Sequence, residues 1–213
     1  MTMGDSIHFI QRHRLLPKAE RAEKQGENHM IDKATGKVVL YIAMSLDGYI
    51  ADSDGGVDWL RGQTPGLKTQ GSYPAFYRQV DTVIMGYTTY RQIVTELSPG
   101  AWAYEGKPCY VFTHRKLPPA EGVTFVREDP AAFVRRLQRK GGVIWICGGA
   151  NLAQALIRDN TIDRYHITVI PTLLGKGIRL FEQGAPRLDL RLLSTQCFDG
   201  MVDLVYERRS SRE

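Results

Sequence analysis

The chain has 213 residues, of which 43% are hydrophobic and 24% are charged, and its formal net charge is +5. These values suit one globular domain of ordinary size with a sizeable hydrophobic core. The sequence contains no apolar run near the roughly 20 residues of a membrane-spanning helix and no apolar core of a secretory signal. We therefore expect a cytoplasmic protein without a membrane partner.

The cysteines, histidines and basic residues exclude further classes of protein. Cys109, Cys147 and Cys197 are an odd number without paired spacing, which is typical of reduced thiols rather than of disulfides. The five histidines are scattered, and none stands at ligand spacing from a cysteine or carboxylate, so we predict no metal site. The sequence presents no basic face with interleaved aromatic residues, so we expect no nucleic-acid partner; the positive charge would instead attract a phosphorylated small molecule.

The N-terminal segment differs in composition from the rest of the chain. Residues 1–36 are polar and charged and lack an apolar face, which indicates a tail or a short solvated helix. A run that begins at Met30 would serve as a natural start for the domain. We assign residues 37–210 to one folded domain and residues 1–36 to a polar N-terminal extension.

From Lys37 onward, apolar runs alternate with segments of helical periodicity. The apolar runs predict strands at residues 38–45, 82–85, 109–112, 122–126, 143–146 and 164–170. The helical segments are residues 73–80, 88–94, 129–139 and 151–157. This alternation predicts an α/β fold with a mostly parallel sheet. Residues 187–195 and 201–208 instead alternate with a period of two around an Asp-Gly turn, which predicts a C-terminal antiparallel hairpin.

The most informative local feature is the pair Gly148 and Gly149, which joins the buried strand at 143–146 to the helix that follows. Glycines allow a phosphate to approach the backbone closely, and the first free amides of a helix point at such an anion. Many α/β domains also use glycines here only to pack a strand against a helix. Phosphate binding and simple packing therefore both remain open from this turn alone.

Several sequence blocks together resemble a known family. They are SLDGYIA (45–51) with Trp59 downstream, VIMGYTTY (83–90), VFTHR (111–115), ICGGANL (146–152) and the segment 162–181. In order and spacing they resemble the dihydrofolate-reductase-like family, specifically the branch that includes the reductase domain of bacterial riboflavin biosynthesis. The resemblance implies a three-layer α/β/α fold and an NADPH cofactor that lies across the carboxyl ends of the strands.

The resemblance also implies which residues bind the cofactor. The backbone of Ala43 and Ile50, the latter in the loop after the first strand, would hold the nicotinamide carboxamide. Phosphate groups would be bound at two helix starts and after one further strand, by Gly86, Thr88, Thr89, Thr113, His114, Arg115, Gly148, Gly149, Ala150, Asn151 and Leu152.

Some of these residues have a second interpretation. Thr88 and Thr89 could only cap their helix, and His114 and Arg115 could form a solvated turn. Tyr87 stands where folate reductases usually carry a basic residue. This difference shifts the expected contact with the adenosine 2′-phosphate to Arg115.

The sequence assigns the catalytic acid and the substrate contact less specifically than the cofactor contacts. Asp47 is the candidate catalytic residue, because the resemblance places it beside the reacting carbon, but it could equally stabilise the turn at Gly48. Trp59 is the candidate substrate contact or lid, in a glycine-rich loop. Ser72 stands where folate reductases carry an acid, and no Asp or Glu occurs between residues 62 and 80. A pterin would lack its charged partner there, which argues against a true folate reductase.

The resemblance therefore implies an NADPH-dependent reductase, similar to 5-amino-6-(5-phosphoribosylamino)uracil reductase, that transfers a hydride to a small substrate with a C=N or C=O group. A divergent dihydrofolate reductase and a nucleotide-binding protein without turnover are the alternatives. Edge strands in residues 171–181 and in the terminal hairpin predict a homodimer.

Overall fold

The computed structural model describes residues 30–67, 69 and 71–209, and these residues contain ten strands. The strands are β1 (Lys37–Ser45), β2 (Tyr49–Ala51), β3 (Thr82–Gly86), β4 (Cys109–Phe112), β5 (Thr124–Val126), β6 (Val143–Gly148), β7 (Arg164–Ile170), β8 (Ile178–Arg179), β9 (Leu190–Phe198) and β10 (Met201–Arg208). Eight of them form one sheet in the order β5-β4-β3-β6-β1-β7-β10-β9, while β2 and β8 pair with each other. The first six strands in this order, from β5 across to β7, are parallel to one another. Strand β10 pairs antiparallel with both β7 and β9.

Helices cover both faces of the sheet. They are α1 (Tyr73–Tyr77), α2 (Tyr87–Gln92), α3 (Pro130–Gln138) and α4 (Ala150–Arg158), and a π-helical turn at Ile93–Leu97 continues α2. One hydrophobic cluster lies between the sheet and helices α3 and α4, and a second lies on the face of α1 and α2. Strand β1 is buried on both faces because alternate residues enter each cluster, which explains its nearly unbroken apolar sequence.

The predicted three-layer α/β fold is confirmed, with its mostly parallel sheet and C-terminal antiparallel hairpin. Asp129 caps α3 by accepting a hydrogen bond from the backbone N–H of Ala132, and Pro130 occupies the first turn. Strand β2 was not predicted, because a strand of three residues carries too few alternations to show a period. Ile50 therefore lies in a short strand rather than in a loop. Strand β8 lies within residues 171–181, where we predicted an edge strand without giving its bounds.

The folded region begins before Lys37. Ile31 is buried, and its backbone N–H donates to Oε1 of Gln79 at 3.0 Å. The Lys33 ammonium contacts Asp81 at 2.8 Å. Residues 30–36, which we assigned to the extension, therefore pack on the domain, and residues 1–29 lie outside the described residues.

The sheet topology sets where a ligand can approach. Parallel strands β1, β3, β4 and β6 end at the same edge, and α2 and α4 begin directly after β3 and β6. In open α/β sheets this carboxyl edge is where ligands bind. None of the helices in the described residues is long and apolar enough to span a membrane.

Candidate functional site

The glycine pair at the end of β6 lies against the end of β3. Gly149 has a φ of +90°, and a Cβ added to it would lie 3.3 Å from both N and Cα of Gly86. Gly148 is also in a backbone region that side chains rarely adopt, with a φ of +154°. The turn therefore requires glycine on two grounds, the backbone conformation and the close approach of a neighbouring strand.

The start of α4 leaves backbone amides available for an anion. Gly149 is its N-cap and supplies no side-chain hydrogen bond. The side chain of Asn151 is exposed, whereas that of Leu152 is buried in the core, so Leu152 can contribute only through its backbone. The free amides and the positive end of the helix dipole suit a phosphate group.

The start of α2 lies beside the same turn. Gly86 is the N-cap of α2, again without a side-chain cap. The hydroxyl of Thr89 would be 3.6 Å from a Cβ on Gly149, so it faces the glycine turn, while Thr88 is exposed. The structure thus brings Gly86 and Thr89 together with Gly148 and Gly149, and the N-cap of α2 is Gly86 rather than either threonine.

The residues that follow β4 lie next to α2. Thr113 is buried, and its hydroxyl accepts a hydrogen bond from the backbone N–H of Arg115 at 3.1 Å. His114 is exposed. The guanidinium of Arg115 lies over the ring of Tyr87, 5.0 Å from its centroid. A cation therefore lies above Tyr87, the residue that stands where folate reductases usually carry a basic residue.

The predicted nicotinamide and substrate contacts lie at the end of β1. Ala43 forms a small hydrophobic cluster with Ile170 and Met201, and Trp59 packs against this cluster. The indole N–H of Trp59 donates to the carbonyl of Gly56 at 3.3 Å, which fixes the ring to its own loop. Trp59 is thus placed beside Ala43, as a lid or a substrate contact requires.

Asp47 holds two loops together. One carboxylate oxygen accepts hydrogen bonds from the Ser45 hydroxyl at 2.6 Å and the Leu174 N–H at 3.1 Å, and the other accepts from the Gly175 N–H at 2.7 Å. The bond from Ser45, followed by those from Gly175 and Leu174, lowers the pKa of Asp47 to about 2. At neutral pH Asp47 is therefore ionised, so it can bind a hydrogen-bond donor but cannot donate a proton.

A buried acid that the sequence analysis missed lies behind Ser72. Asp203 of β10 is 1% exposed. One of its oxygens accepts from the hydroxyl of Ser72 and the other from that of Thr168. Ser72 thus has an acidic neighbour, which comes from a distant strand. We argued against a folate reductase because no acid lies near Ser72 in the sequence, and this argument does not hold for the structure.

The same hydroxyl of Ser72 joins two further side chains. It lies 3.0 Å from Nε2 of His166 and 3.1 Å from the hydroxyl of Tyr41. Burial, and then the negative charge of Asp203, raises the pKa of Tyr41 far above its ordinary value. Tyr41 therefore stays protonated and can donate to Ser72, and the group forms one connected hydrogen-bond network.

One sequence signal could have revealed Asp203. The terminal hairpin alternates with a period of two, and Asp203 is in phase with Met201, which is buried. A carboxylate on the buried side of a strand lowers the stability of the fold unless it has a hydrogen-bonding or charged partner. Reading the phase of β10 would therefore have identified Asp203 as a candidate site residue.

The predicted absence of a metal site stays a prediction. Within residues 30–67, 69 and 71–209, no group of three or more His, Cys, Asp or Glu side chains is arranged to hold a metal ion.

Comparison with known proteins places the chain in a family. Residues 36–203 match the model of the RibD C-terminal domain. The chain belongs to this RibD C-terminal domain family. It is also similar to the uncharacterised protein YwjB of Bacillus subtilis (strain 168), with 46% identity over 176 residues that cover 81% of this chain and 98% of YwjB.

Solved structures have the same architecture. A candidate riboflavin biosynthesis protein from Shewanella sp. PV-4 superposes with a TM-score of 0.71 at 26% identity, covering 82% of this chain and 99% of that one. A diaminohydroxyphosphoribosylaminopyrimidine deaminase/5-amino-6-(5-phosphoribosylamino)uracil reductase from Thermotoga maritima superposes with a TM-score of 0.58 at 16% identity, covering 83% of this chain and 58% of that one. The fold of the chain is thus the dihydrofolate-reductase-like fold of RibD proteins, as the sequence blocks predicted.

Proposed function

We propose that the protein is an NADPH-dependent oxidoreductase of the riboflavin-biosynthesis reductase type, which reduces a C=N or C=O group of a small substrate. Membership of the RibD C-terminal domain family and the shared fold support the oxidoreductase class. The uracil derivative named for the Thermotoga maritima protein is the first acceptor to test. A cytoplasmic location and a homodimer remain predictions.

The observation that carries the proposal is the approach of Gly149 to Gly86 at the starts of α4 and α2. A Cβ on Gly149 would fill the gap between the two strand ends, so the residues present fit a group that must approach the backbone closely. Ala150, Asn151 and Leu152 follow with their backbone amides at the positive end of the helix. We assign the pyrophosphate of the cofactor to this turn.

The remaining cofactor contacts follow from the same edge of the sheet. Arg115, with Thr113 and His114 beside it, would bind the 2′-phosphate that distinguishes NADPH from NADH. Ala43 and Ile50 would contact the nicotinamide, and Thr88 and Thr89 would supply hydroxyls to a phosphate. When bound, the reduced nicotinamide supplies the hydride, while the protein provides binding, orientation and the proton.

Asp47 and Trp59 would act at the substrate. Because the pKa of Asp47 is about 2, its proposed role is to hold the 171–175 loop and bind a hydroxyl or N–H of the substrate as a carboxylate. Trp59 would cover the acceptor and exclude water.

The decisive experiment is a pair of titrations followed by a turnover assay. NADPH and NADH are titrated into the protein by fluorescence, and loss of NADPH absorbance is then followed with 5-amino-6-(5-phosphoribosylamino)uracil and, separately, with dihydrofolate. Tight NADPH binding and oxidation with the uracil derivative are expected. Tight binding without oxidation by either acceptor would favour a nucleotide-binding protein, and no binding of either nucleotide would refute the proposal.

A divergent dihydrofolate reductase is the second candidate, and one observation favours it. Asp203 places a buried carboxylate beside Ser72, where a pterin would need a charged partner. In that case dihydrofolate, rather than the uracil derivative, would oxidise NADPH in the same assay.

A further inference from the structure

A cavity of about 270 Å³ lies at the edge of the sheet opposite to the glycine turn. Strands β1 and β7 begin at this edge, and β10 ends there. A strand rises about 3.3 Å per residue, so Lys37 in the wall of the cavity is roughly 20 Å from Ala43 at the proposed nicotinamide contact. The cavity is therefore separate from the proposed cofactor and substrate contacts.

Positive side chains converge on this cavity. Its wall holds five cationic and two acidic side chains, and the cationic ones are Lys37, Arg164, Arg191, Arg208 and Arg209. Like charges repel one another, and the repulsion grows where water is partly excluded. An anion between the cations would relieve this repulsion, so the composition of the wall favours an anionic ligand.

The two acids neutralise only part of the charge. One carboxylate oxygen of Asp163 lies 3.5 Å from the guanidinium of Arg208, and the other accepts a hydrogen bond from the backbone N–H of Val38 at 2.9 Å. Glu207 accepts a hydrogen bond from Nε of Arg191 at 3.0 Å. Each acid thus has an arginine partner, and the remaining cations of the wall are in excess.

Strand register brings four of the charged side chains to one face of the sheet. Arg164 of β7 is paired with Val39 of β1 and with Glu207 of β10, and Glu207 is paired with Arg191 of β9. Lys37 lies two residues before Val39, so its side chain is on the same face. Neighbouring strands are about 5 Å apart, and Arg164 therefore lies in the middle of the group with a cation on either side.

The surroundings of Arg164 differ from those of the outer cations. Arg164 is partly buried, and this desolvation lowers the pKa of its guanidinium, although the carboxylates of Glu207 and Asp163 act in the opposite direction. A further negative charge nearby would offset the desolvation. Within the part of the chain that the structure describes, the side chains of Lys37 and Arg209 form no ion pair, so both are available to a ligand.

The size and the donors of the cavity indicate the kind of ligand. Small-molecule sites typically enclose roughly 300 to 1,000 Å³, so this cavity suits one charged group rather than a whole dinucleotide. Guanidinium and ammonium groups are common partners of phosphate. A phosphate monoester carries about −1.5 to −2 charges at pH 7, which matches the excess of positive charge better than the single charge of a carboxylate.

We propose that this cavity is a second anion site, which binds the phosphate group of a small phosphorylated molecule between Lys37, Arg164 and Arg209. Asp163 and Glu207 hold the neighbouring arginines in place around it. The site lies at the amino ends of β1 and β7, outside the proposed reductase site. It therefore stands independently of the proposed function.

Inorganic phosphate serves to test the site. In ¹⁵N-labelled protein without nucleotide, NMR should show saturable shifts of the backbone amide signals of Lys37, Arg164 and Arg209 as phosphate is added. Sodium chloride and sodium acetate at the same ionic strength should give no saturable shift of these signals. The amides of Gly148 and Gly149 report the proposed cofactor turn separately, so phosphate bound there is distinguished from phosphate in the cavity.

Two variants remove one cation each. Lys37→Gln and Arg209→Gln should each weaken phosphate binding in the cavity about 10-fold, because each loses a charge-assisted contact. Arg91→Gln is the matched control, since it removes an exposed arginine of α2, and it should leave this affinity unchanged. Thermal unfolding of each variant shows whether it is folded.

Three results would overturn the proposal. The first is a set of phosphate-induced shifts that do not saturate or that sodium chloride reproduces, which would reflect screening of surface charge. The second is phosphate binding by folded Lys37→Gln and Arg209→Gln variants that equals binding by the wild type. The third is acetate that binds in the cavity as tightly as phosphate. Because the titration uses no nucleotide, failure of the proposed reductase function would leave these results unaffected.

Discussion

The guanidinium of Arg115 lies over the ring of Tyr87, 5.0 Å from its centroid. Tyr87 directly follows β3 and Arg115 comes shortly after β4, and these two parallel strands end at the same edge of the sheet. A cation on a tyrosine face is held in place by the ring's quadrupole. Tyr87 thus positions a charge that it does not itself carry. This pairing explains how the chain, which has Tyr87 where folate reductases usually carry a basic residue, can still present a cation there.

Arg115→Ala should weaken NADPH about 10- to 100-fold, because a charge-assisted hydrogen bond to the 2′-phosphate is lost. NADH lacks this phosphate, so its affinity should change by less than about 2-fold. Fluorescence titration of both nucleotides measures the difference. Arg139→Ala, which removes an exposed arginine after α3, is the control, and equal losses for the two nucleotides would remove Arg115 from the 2′-phosphate site.

Gly149→Ala should reduce both stability and cofactor affinity. The backbone conformation alone costs about 1 to 3 kcal/mol for a residue with a side chain, and the new Cβ would press on Gly86. We expect NADPH affinity to fall on the order of 10-fold, measured by fluorescence, and the free energy of unfolding to fall in urea denaturation.

Gly100→Ala provides the matched comparison for this variant. Gly100 has a φ of +79°, but a Cβ there would meet no atom within 4 Å. It should lose stability through strain alone, about 1 to 2 kcal/mol, and bind NADPH normally. If Gly149→Ala binds NADPH as well as Gly100→Ala does, the turn is a packing feature and not a pyrophosphate site.

Protonation of Asp47 should make the protein less stable at low pH. Its pKa is lowered from 3.8 to about 2, so its hydrogen bonds stabilise the fold above the unfolded-state value and are lost as the pH falls through about 2. The melting temperature of the wild type should exceed that of Asp47→Asn at neutral pH, and the gap should close as the pH falls from about 4 to 2. A gap that stays constant over this range would mean that the carboxylate charge is not what holds the 171–175 loop.

Leu192 tests the predicted homodimer. It lies on the edge strand β9 and is 51% exposed, and an exposed apolar edge strand is a common surface for pairing with a second copy. Sedimentation of the wild type should give a dimer, and Leu192→Glu should shift it to a monomer. Leu67→Glu, at a loop residue that is 55% exposed, should leave the dimer intact; a monomeric wild type would refute the prediction.

The sequence predicted the larger elements with small errors. Strands β1, β3, β4, β6 and β7 begin and end within two residues of the predicted bounds, because buried parallel strands are continuous apolar runs between turn residues. The hairpin strand β9 begins three residues later than predicted. Its weak alternation, with most side chains partly or fully exposed, gave the pattern no sharp boundary.

The residues of the candidate site that belong to the sequence motifs were predicted. The residue that reaches the site through strand pairing was missed. Gly86, Thr89, Gly148 and Gly149 come together because both β3 and β6 end at one edge, as parallel strands must. Asp203 could not be placed beside Ser72 from spacing, since 131 residues separate them.

By itself the sequence determined the layer order, the glycine turn and the family, because periodicity and local turn chemistry are properties of neighbouring residues. Only the tertiary structure decided that Asp47 is a bound, ionised carboxylate, and that Ser72 contacts His166 and Asp203. These depend on which strands pair and in which register, and register is fixed by burial of the whole sheet rather than by any single segment.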